Sequence, residues 1–448
     1  MPSSRVDGII ISPIEDKSKN IQILIENKVK TVIIDACPQF KNISSDKIKL
    51  KFNKFYNILL KIFILFSKEE KISVSIFKTK KPKPNIKRFL DAMLGKIILD
   101  KPPIVEFIVD KAVMQPITEN IIGKKWVDAP FETEYMGGLS NFLKKDIENL
   151  NSWLDNQILF WYHMGYDYVL ECDGVWLPAT SIETIDTADK ELRRKRSWQA
   201  MRNCQIETLD DFEKYPWPEV TEANFYIPGY ISDHLPDGLG FMTYHAYGIF
   251  EHTSRLMGYE NLCINLIENP PFVKMVVDKV GDLIYQYYKN LLELDNISAI
   301  FQGEDLGFNT QTLISPDDLK TYFLPWHKKY AKLFHEKNKP YFLHSCGKID
   351  VIMEDLINDV KIDGKHSFQD GVAPINEAKD LWGDRICLLG GVDIDKLSRL
   401  DPENLRKYIR KIIDYCSPGG RFAIGSGNSI PSYIPIENYL TMLNEALK

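Results

Sequence analysis

The sequence predicts an α/β protein, a closed (β/α)8 barrel of TIM type preceded by a small N-terminal α/β appendage. Eight apolar runs typical of buried strands follow residue 85, and each precedes a stretch whose apolar residues have helical spacing. Strands that alternate with helices form parallel sheets, and eight such units close into a barrel. The alternative is an open doubly wound sheet, but no Gly-x-Gly-x-x-Gly turn follows any of the runs.

The predicted appendage covers residues 1–84. Strand-like runs at 6–13 and 31–36 flank a segment of helical spacing at 20–29, which predicts one βαβ unit. Its Asp-Gly-Ile-Ile-Ile-Ser run resembles a fragment of the periplasmic sugar-binding and LacI-type regulator fold. The barrel domain is then predicted over 85–448.

The predicted barrel strands are short apolar or aromatic runs, most of them bounded by Gly, Pro, Asp or Asn, which interrupt a strand. They lie at 102–110, 166–174, 240–246, 299–307, 339–347, 360–368, 385–394 and 421–429. The connections at 111–165 and 175–239 are long, and we expect extra helices there that cover the mouth of the barrel.

Composition excludes several classes of protein. The chain has 448 residues, 44% of them hydrophobic, which is ample for a large core. Its longest apolar stretch, 55–66, is interrupted by Lys61 and is too short to span a bilayer, and no basic and apolar leader precedes it, so we expect no membrane association. The 7 cysteines lack a paired spacing, which predicts a reducing, cytoplasmic location. Lysines of the N-terminal segment are dispersed, so no nucleic acid partner is expected.

The clearest chemical motif is His344-Ser345-Cys346 at the end of an apolar run. Residues i and i+2 of a strand point to the same side, so the imidazole and the thiol should face one point. Zinc accepts one nitrogen and one thiolate and needs further ligands from elsewhere in the fold. A simply buried cysteine at a strand end is the alternative interpretation.

Polar residues collect at the carboxyl ends of the other predicted strands, where the active site of such a barrel lies. Strand ends are usually polar, so a structural role is the alternative for each of these residues taken singly. Three consecutive strands nevertheless carry potential metal ligands. The candidates are Glu304 and Asp305 for catalysis, Glu171, Asp173, His245 and Asn428 for substrate binding, and His344, Cys346, His366 and Asp370 for a metal.

Several motifs carry a resemblance to a known family. They are Arg88-Phe89-Leu90-Asp91-Ala92, Gly303-Glu304-Asp305-Leu306-Gly307 with Ile314-Ser315-Pro316, His344-Ser345-Cys346-Gly347, Leu389-Gly390-Gly391-Val392-Asp393 and Pro435-Ile436-Glu437-Asn438. From Arg88 to Lys448 the chain resembles the uroporphyrinogen decarboxylase superfamily. This superfamily includes the decarboxylase and zinc-dependent methyltransferases that act on corrinoid proteins or thiols.

The resemblance implies a zinc site. In the zinc methyltransferases a His-x-Cys pair and a second cysteine on the last strand hold the metal, and His344 and Cys346 match the pair. The second cysteine position falls in 424–428, where this chain has Ser426, a poor zinc ligand. We therefore expect the remaining ligands to be His366 or Asp370, with Glu304 as a further oxygen donor.

The resemblance implies a zinc-dependent methyltransferase that moves a methyl group between a small methylated substrate or thiol and a corrinoid carried on a partner protein. Loss of the second cysteine favours demethylation of a methoxylated or similar substrate, with Glu304 or Asp305 as proton donor. One alternative is uroporphyrinogen decarboxylase, which needs arginines for its substrate's carboxylates, but 102–110 contains none. The other is a non-catalytic barrel that binds a ligand or a corrinoid.

Overall fold

The computed structural model describes residues 82–130, 144–179 and 204–448, together with the backbone of four further short strands. The chain divides into two compact units, Met1–Lys71 and Ile72–Lys448.

In the first unit the structure describes two strands, β1 (Ile10–Ile11) and β2 (Ile33–Ile34). They pair in parallel, with Ile10 opposite Ile33. A βαβ unit requires this pairing. The predicted helix at 20–29 lies outside the described residues.

The second unit contains a parallel sheet of seven strands and a separate antiparallel hairpin. The sheet strands are β3 (Tyr168–Asp173), β6 (Gly240–His245), β7 (Ile297–Gly303), β8 (Tyr341–His344), β9 (Gly364–His366), β10 (Cys387–Leu389) and β11 (Phe422–Ala423). The hairpin pairs β4 (Ser181–Ile185) with β5 (Lys195–Gln199).

The strands of the seven-stranded sheet lie side by side in their order along the chain. A doubly wound sheet reverses its strand order at a switch point, so this order rules that alternative out. Each strand falls within one of the predicted runs or within two residues of it. Seven of the eight predicted barrel strands are therefore confirmed.

The run at 102–110 is not a continuous strand. It touches the end of the sheet through single parallel bridges, Ile104 to Ile424 and Val109 to Ile430. Four backbone hydrogen bonds of 2.7–2.9 Å join the two segments. The segment thus lies beside the last strand, as the first strand of a barrel does, but its pairing is intermittent.

On the opposite side of this segment, a tyrosine side chain takes the place of strand pairing. The backbone N–H of Glu106 donates to the hydroxyl of Tyr168, and that hydroxyl donates to the carbonyl of Glu106, both at 2.8 Å. Tyr168 is the first residue of β3. One buried hydroxyl thus satisfies both backbone groups of Glu106, which would otherwise need a neighbouring strand.

Helices follow most of the strands, and further helices occur in the two long connections, as predicted. They are α1 (Ile86–Met93), α2 (Lys111–Ile117), α3 (Lys144–Met164), α4 (Leu209–Lys214), α5 (Tyr226–Asp233), α6 (Ile249–Met257), α7 (Tyr259–Glu268), α8 (Pro270–Leu291), α9 (Pro316–Asp318), α10 (Leu324–Glu336), α11 (Met353–Asp355), α12 (Ile375–Trp382), α13 (Ile394–Arg399), α14 (Pro402–Cys416) and α15 (Ile436–Leu447). Short π-helical turns extend α2, α9 and α11.

Local sequence explains where the helices after the last strands begin. The Asp393 carboxylate accepts the Lys396 N–H at the start of α13, and the Asp401 carboxylate accepts the N–H groups of Glu403 and Asn404 at the start of α14. Aspartate is among the best N-cap residues because its oxygen satisfies these free donors. Among the described residues, no helix has both the length and the apolar character needed to span a membrane.

Candidate functional site

Three side chains at the carboxyl ends of β7 and β8 form a group of potential metal ligands. Within the described part of the chain, Asp305, His344 and Cys346 bring one ligand atom each to within 4.8 Å of one another. Nε2 of His344 lies 3.4 Å from Sγ of Cys346 and 3.9 Å from Oδ1 of Asp305. We call Asp305, His344 and Cys346 the donor group.

The local chain explains why these three meet. His344 ends β8, and Cys346 follows two residues later on the same side, as the strand period predicts. Asp305 follows the end of the neighbouring β7, and its Oδ1 accepts the backbone N–H of Cys346 at 3.0 Å. This bond fixes the aspartate beside the cysteine. The Asp305 side chain is 45% exposed, so the donor group is open to solvent on its side.

His344 is held between an aromatic ring and a second histidine. Its ring stacks on Phe107, with centroids 4.2 Å apart and an interplanar angle of 12°. Its Nδ1 lies 2.7 Å from Nδ1 of His366. Burial, and then the neighbouring His366 and Lys365, lower the pKa of His344 well below its usual value, so the ring is neutral and can offer a nitrogen lone pair.

Cys346 receives a hydrogen bond from the last segment of the barrel. The amide Nδ2 of Asn428 donates to its Sγ at 3.2 Å. Burial and the nearby Asp305 carboxylate raise the pKa of the Cys346 thiol to about 12. Without a cation beside it the sulfur is therefore protonated, and binding of a metal would release that proton.

The structure places His366 behind the donor group. Its Nε2 lies 3.0 Å from the carbonyl oxygen of Ser426, and its Nδ1 faces His344. Both ring nitrogens already have partners, so the predicted ligand role of His366 has no free nitrogen in this arrangement. Burial lowers the pKa of His366 to about 3.

Asp370, the other predicted ligand, lies apart from the donor group. Its carboxylate accepts hydrogen bonds from the Tyr408 hydroxyl at 3.0 and 3.1 Å and pairs with Lys396. Its backbone N–H donates to Asp393 at 3.0 Å. These contacts tie the loop after β9 to helices α13 and α14, which gives Asp370 a structural role.

Ser426 is also turned away from the donor group. Its hydroxyl donates to Oε1 of Glu106 at 2.5 Å, and its backbone N–H donates to Oε2 at 3.2 Å. Burial raises the pKa of Glu106 to about 8, with these hydrogen bonds as smaller opposing effects. The residue of the last segment that reaches the donor group is Asn428.

Glu304 lies next to Asp305 in sequence, but its side chain contacts helix α6 and His327. Its carboxylate accepts the N–H groups of Phe250 and Glu251 at the start of α6, at 3.1 and 3.0 Å, and contacts Nε2 of His327 at 3.0 Å. A carboxylate at a helix N-terminus satisfies free N–H groups and favours the helix dipole. Of the two predicted catalytic carboxylates, the structure brings only Asp305 to the donor group.

The predicted substrate-binding residues on β3 and β6 do not contact the donor group. Glu171 and Asp173 each accept the backbone N–H of the following residue, at 3.2 and 2.7 Å, and burial raises the pKa of both, to about 8 for Glu171. Nε2 of His245 accepts the Val175 N–H at 3.0 Å, and its Nδ1 lies 3.0 Å from the Ala246 carbonyl. His245 thus joins two loops and has no free nitrogen for a substrate.

The donor group fits a zinc ion. Zinc bonds of ~2.0–2.3 Å place two tetrahedral ligands roughly 3.3–3.8 Å apart. The distance of 3.4 Å from Nε2 of His344 to the sulfur lies within this range, and the distance of 3.9 Å to the carboxylate oxygen slightly exceeds it. Nitrogen, sulfur and oxygen are the ligand types that zinc accepts, and three protein ligands leave one position for a substrate.

Comparison with known families supports the family resemblance that the sequence motifs indicate. Residues 235–448 match the family described as uroporphyrinogen decarboxylase (URO-D), and the match includes the whole donor group. This part of the chain, just under half of its length, is a URO-D domain. The resemblance inferred from the URO-D motifs is thereby confirmed.

One solved structure in particular shows the same fold. A methyltransferase from Methanosarcina mazei superposes on 81% of this chain and 98% of its own, with a TM-score of 0.59 and 16% sequence identity. A protein described as a vitamin-B12-independent methionine synthase from Listeria monocytogenes covers 78% of this chain and 96% of its own, with a TM-score of 0.44 and 10% identity. No curated protein matches this chain.

Sequence reasoning missed one residue that contacts the donor group and one that Asp305 affects electrostatically. Phe107 carries the ring that stacks on His344, yet it stands in an apolar run with no chemical signal. Glu251 lies in the first turn of α6, where it accepts the Gly248 N–H at 3.1 Å as an ordinary capping residue does. Burial, followed by the charges of Asp305 and Glu304, raises the pKa of Glu251 above its usual value.

Proposed function

We propose that this URO-D protein is a zinc-dependent methyltransferase that moves a methyl group between a small methylated substrate or thiol and a corrinoid on a partner protein. The observation that carries the proposal is the donor group of Asp305, His344 and Cys346 at the carboxyl ends of adjacent strands. Active sites of barrels lie at that end. The fold shared with a methyltransferase from Methanosarcina mazei is consistent with it.

In this proposal, Nε2 of His344, Sγ of Cys346 and a carboxylate oxygen of Asp305 hold the metal. A bound zinc ion supplies Lewis acidity, which polarises an ether oxygen or lowers the pKa of a thiol. The donor group carries one potential thiolate and an oxygen ligand, and this composition favours activation of an oxygen substrate over a thiol. Asp305 takes the place that was predicted for His366 or Asp370.

For a methyl ether the step balances as follows. The O–CH3 bond breaks with its electron pair on oxygen, cobalt(I) of the partner's corrinoid supplies the pair for the new bond to the methyl group, and the oxygen takes up a proton. Glu251 is the proton source that we propose, because burial raises its pKa and its charge interacts with that of Asp305. Glu304 is engaged with α6 and His327 and is not available.

The segment 102–110 completes the barrel in this proposal. We propose that 102–110 serves as the eighth strand of a closed barrel, since it bridges to the segment after β11 and meets β3 through Tyr168. We also propose that the chain consists of an appendage at 1–84 and a barrel at 85–448. We propose a cytoplasmic location for the protein.

The test uses the purified full chain, a corrinoid protein reduced to cobalt(I), and a panel of methoxylated aromatics, methylamines, glycine betaine and thiols. We expect one zinc ion per chain and a change in corrinoid absorbance with at least one oxygen substrate. Cys346→Ser should abolish both, while Cys416→Ser, at the end of α14, should change neither. Turnover by the protein after removal of zinc would contradict the proposal.

The same preparation separates the alternatives. Conversion of uroporphyrinogen to coproporphyrinogen would replace the proposal with the decarboxylase. Tight binding of a corrinoid protein without turnover of any substrate in the panel would favour the non-catalytic barrel.

A further inference from the structure

The two histidines behind the donor group have an arrangement that determines where their protons lie. Nε2 of His366 is 3.0 Å from the carbonyl oxygen of Ser426, and its Nδ1 is 2.7 Å from Nδ1 of His344. A carbonyl oxygen can only accept a hydrogen bond, so Nε2 of His366 must carry a proton.

The proton on Nε2 of His366 determines which nitrogen carries the proton between the two rings. Among the described residues no carboxylate contacts His366, which is fully buried, so a charged ring there would lack a counter-ion. A neutral ring with its proton on Nε2 has a bare Nδ1. Two nitrogens 2.7 Å apart need one proton between them, and that proton must therefore belong to Nδ1 of His344.

The consequence concerns the other nitrogen of His344. With its proton on Nδ1, the neutral His344 ring has its lone pair on Nε2, the atom that faces Cys346 and Asp305. Neutral histidine in water favours the opposite form, with the proton on Nε2. The contact with His366 thus selects the form that can bind a metal.

We propose that His366 is a positioning residue that fixes the proton of His344 on Nδ1 and so directs the Nε2 lone pair at the metal position. This inference rests on the proposed metal site. In metal centres, the partner of a ligating histidine is commonly a carboxylate or a backbone carbonyl. Here His366 stands between His344 and the Ser426 carbonyl.

The position of the Ser426 carbonyl is itself fixed. The N–H and the hydroxyl of Ser426 both donate to the buried Glu106. A thiol is a weaker donor than a hydroxyl, so a cysteine at 426 would hold this carboxyl less well. The hydrogen-bonded chain from Glu106 through Ser426 and His366 to His344 accounts for a serine at this position.

Aromatic stacking also helps to hold the His344 ring in place. Phe107 lies parallel to the His344 ring at 4.2 Å, which fixes the plane of the imidazole, while His366 fixes its proton. Phe107 also contacts His366, with ring centroids 6.0 Å apart. One aromatic residue therefore packs against both histidines.

The first test is spectroscopic and uses the unaltered full chain without metal. The protein is labelled with ¹⁵N at its 8 histidines, and long-range ¹H–¹⁵N correlations report which ring nitrogens carry protons. We expect a proton on Nδ1 and none on Nε2 for His344, and the reverse for His366. A proton on Nε2 of His344 would overturn the proposal.

The second test measures zinc affinity. His366→Leu removes the acceptor for His344 and should weaken zinc binding by roughly 10–100-fold. His366→Gln should retain most of the affinity, because its amide oxygen can accept from His344 and its NH2 can donate to Ser426. His335→Gln, on α10 and paired with Asp363, is the matched control and should leave affinity unchanged. Equal losses in the Leu and Gln variants would contradict the proposal.

These tests can refute the role of His366 and the proposed methyltransferase function independently of each other. The predicted proton positions in a protein that never transfers a methyl group would leave the inference standing and refute only the methyltransferase. The opposite proton positions in an active methyltransferase would refute only the role of His366.

Discussion

The side-chain amide of Asn428 donates a hydrogen bond to the sulfur of Cys346 at 3.2 Å, across 82 positions of sequence. Related zinc methyltransferases are expected to have a second cysteine in this last segment. Asn428 reaches the donor group there, whereas the Ser426 hydroxyl is bound to Glu106.

The contact between Asn428 and Cys346 predicts how a second cysteine in the last segment would change zinc affinity. Asn428→Cys should tighten zinc binding by at least roughly tenfold, since a thiolate would join the donor group. Ser426→Cys is the matched control, and it should bring no gain because its side chain points at Glu106. The two affinities are measured by competition with a coloured chelator. A gain from Ser426→Cys alone would show that 426 faces the metal.

Removal of the motif should remove the metal without unfolding the barrel. His344→Ala combined with Cys346→Ala deletes two of the three donors, so zinc should be lost on dialysis. Seven paired strands do not depend on one ion, and circular dichroism should be unchanged. Metal content is read by mass spectrometry. Full zinc occupancy in the double variant would place the metal elsewhere.

The rate of ether demethylation should fall at high pH, where Glu251 loses its proton. The acid must carry its proton to transfer it, and burial raises the pKa of Glu251, so this residue stays protonated to a higher pH than an exposed glutamate. Glu251→Gln should lower the rate by roughly 100-fold or more and remove this pH dependence, with zinc content unchanged. A pH profile shared by the variant and the unaltered protein would exclude Glu251 as the acid.

Glu106 should make the fold less stable at high pH. Its pKa is about 8 in the folded chain and near 4.5 when exposed, so the stability that it contributes is fully present below about 4.5 and is lost as pH rises through about 8. The loss is at most about 5 kcal/mol. Denaturant unfolding at several pH values should show Glu106→Gln gaining stability relative to the unaltered chain between these limits. A constant difference would contradict the prediction.

The predictable part of this protein is what depends on local periodicity. Apolar runs such as 240–246 and 339–347 predicted strands because buried parallel strands need continuous apolar residues. The strand period also brought His344 and Cys346 together correctly. Asp305 was predicted at a strand end, but its place in the donor group required the pairing of β7 with β8.

The unpredicted part depends on irregular backbone and on distant contacts. Strand β11 ends at Ala423, and pairing continues only through single bridges at Ile424 and Ser426. A period of two would point Ser426 and Asn428 to the same side, and it did not reveal that they have different partners. The partner of Ser426, Glu106, lies 320 positions away in sequence. The run at 102–110 was predicted as a strand on apolar content, which does not reveal that a Tyr168 hydroxyl replaces one of its neighbours.

The hydroxyl of Tyr168 makes this edge of the sheet the natural place for local opening. One side chain holds the backbone of Glu106 where other strands share a ladder of hydrogen bonds, so its amide should exchange with deuterated solvent sooner than those of β7 or β8. Phe107, the next residue of this segment, packs on His344. If zinc binds at His344, it should therefore slow that exchange and hold this edge of the sheet more firmly in place.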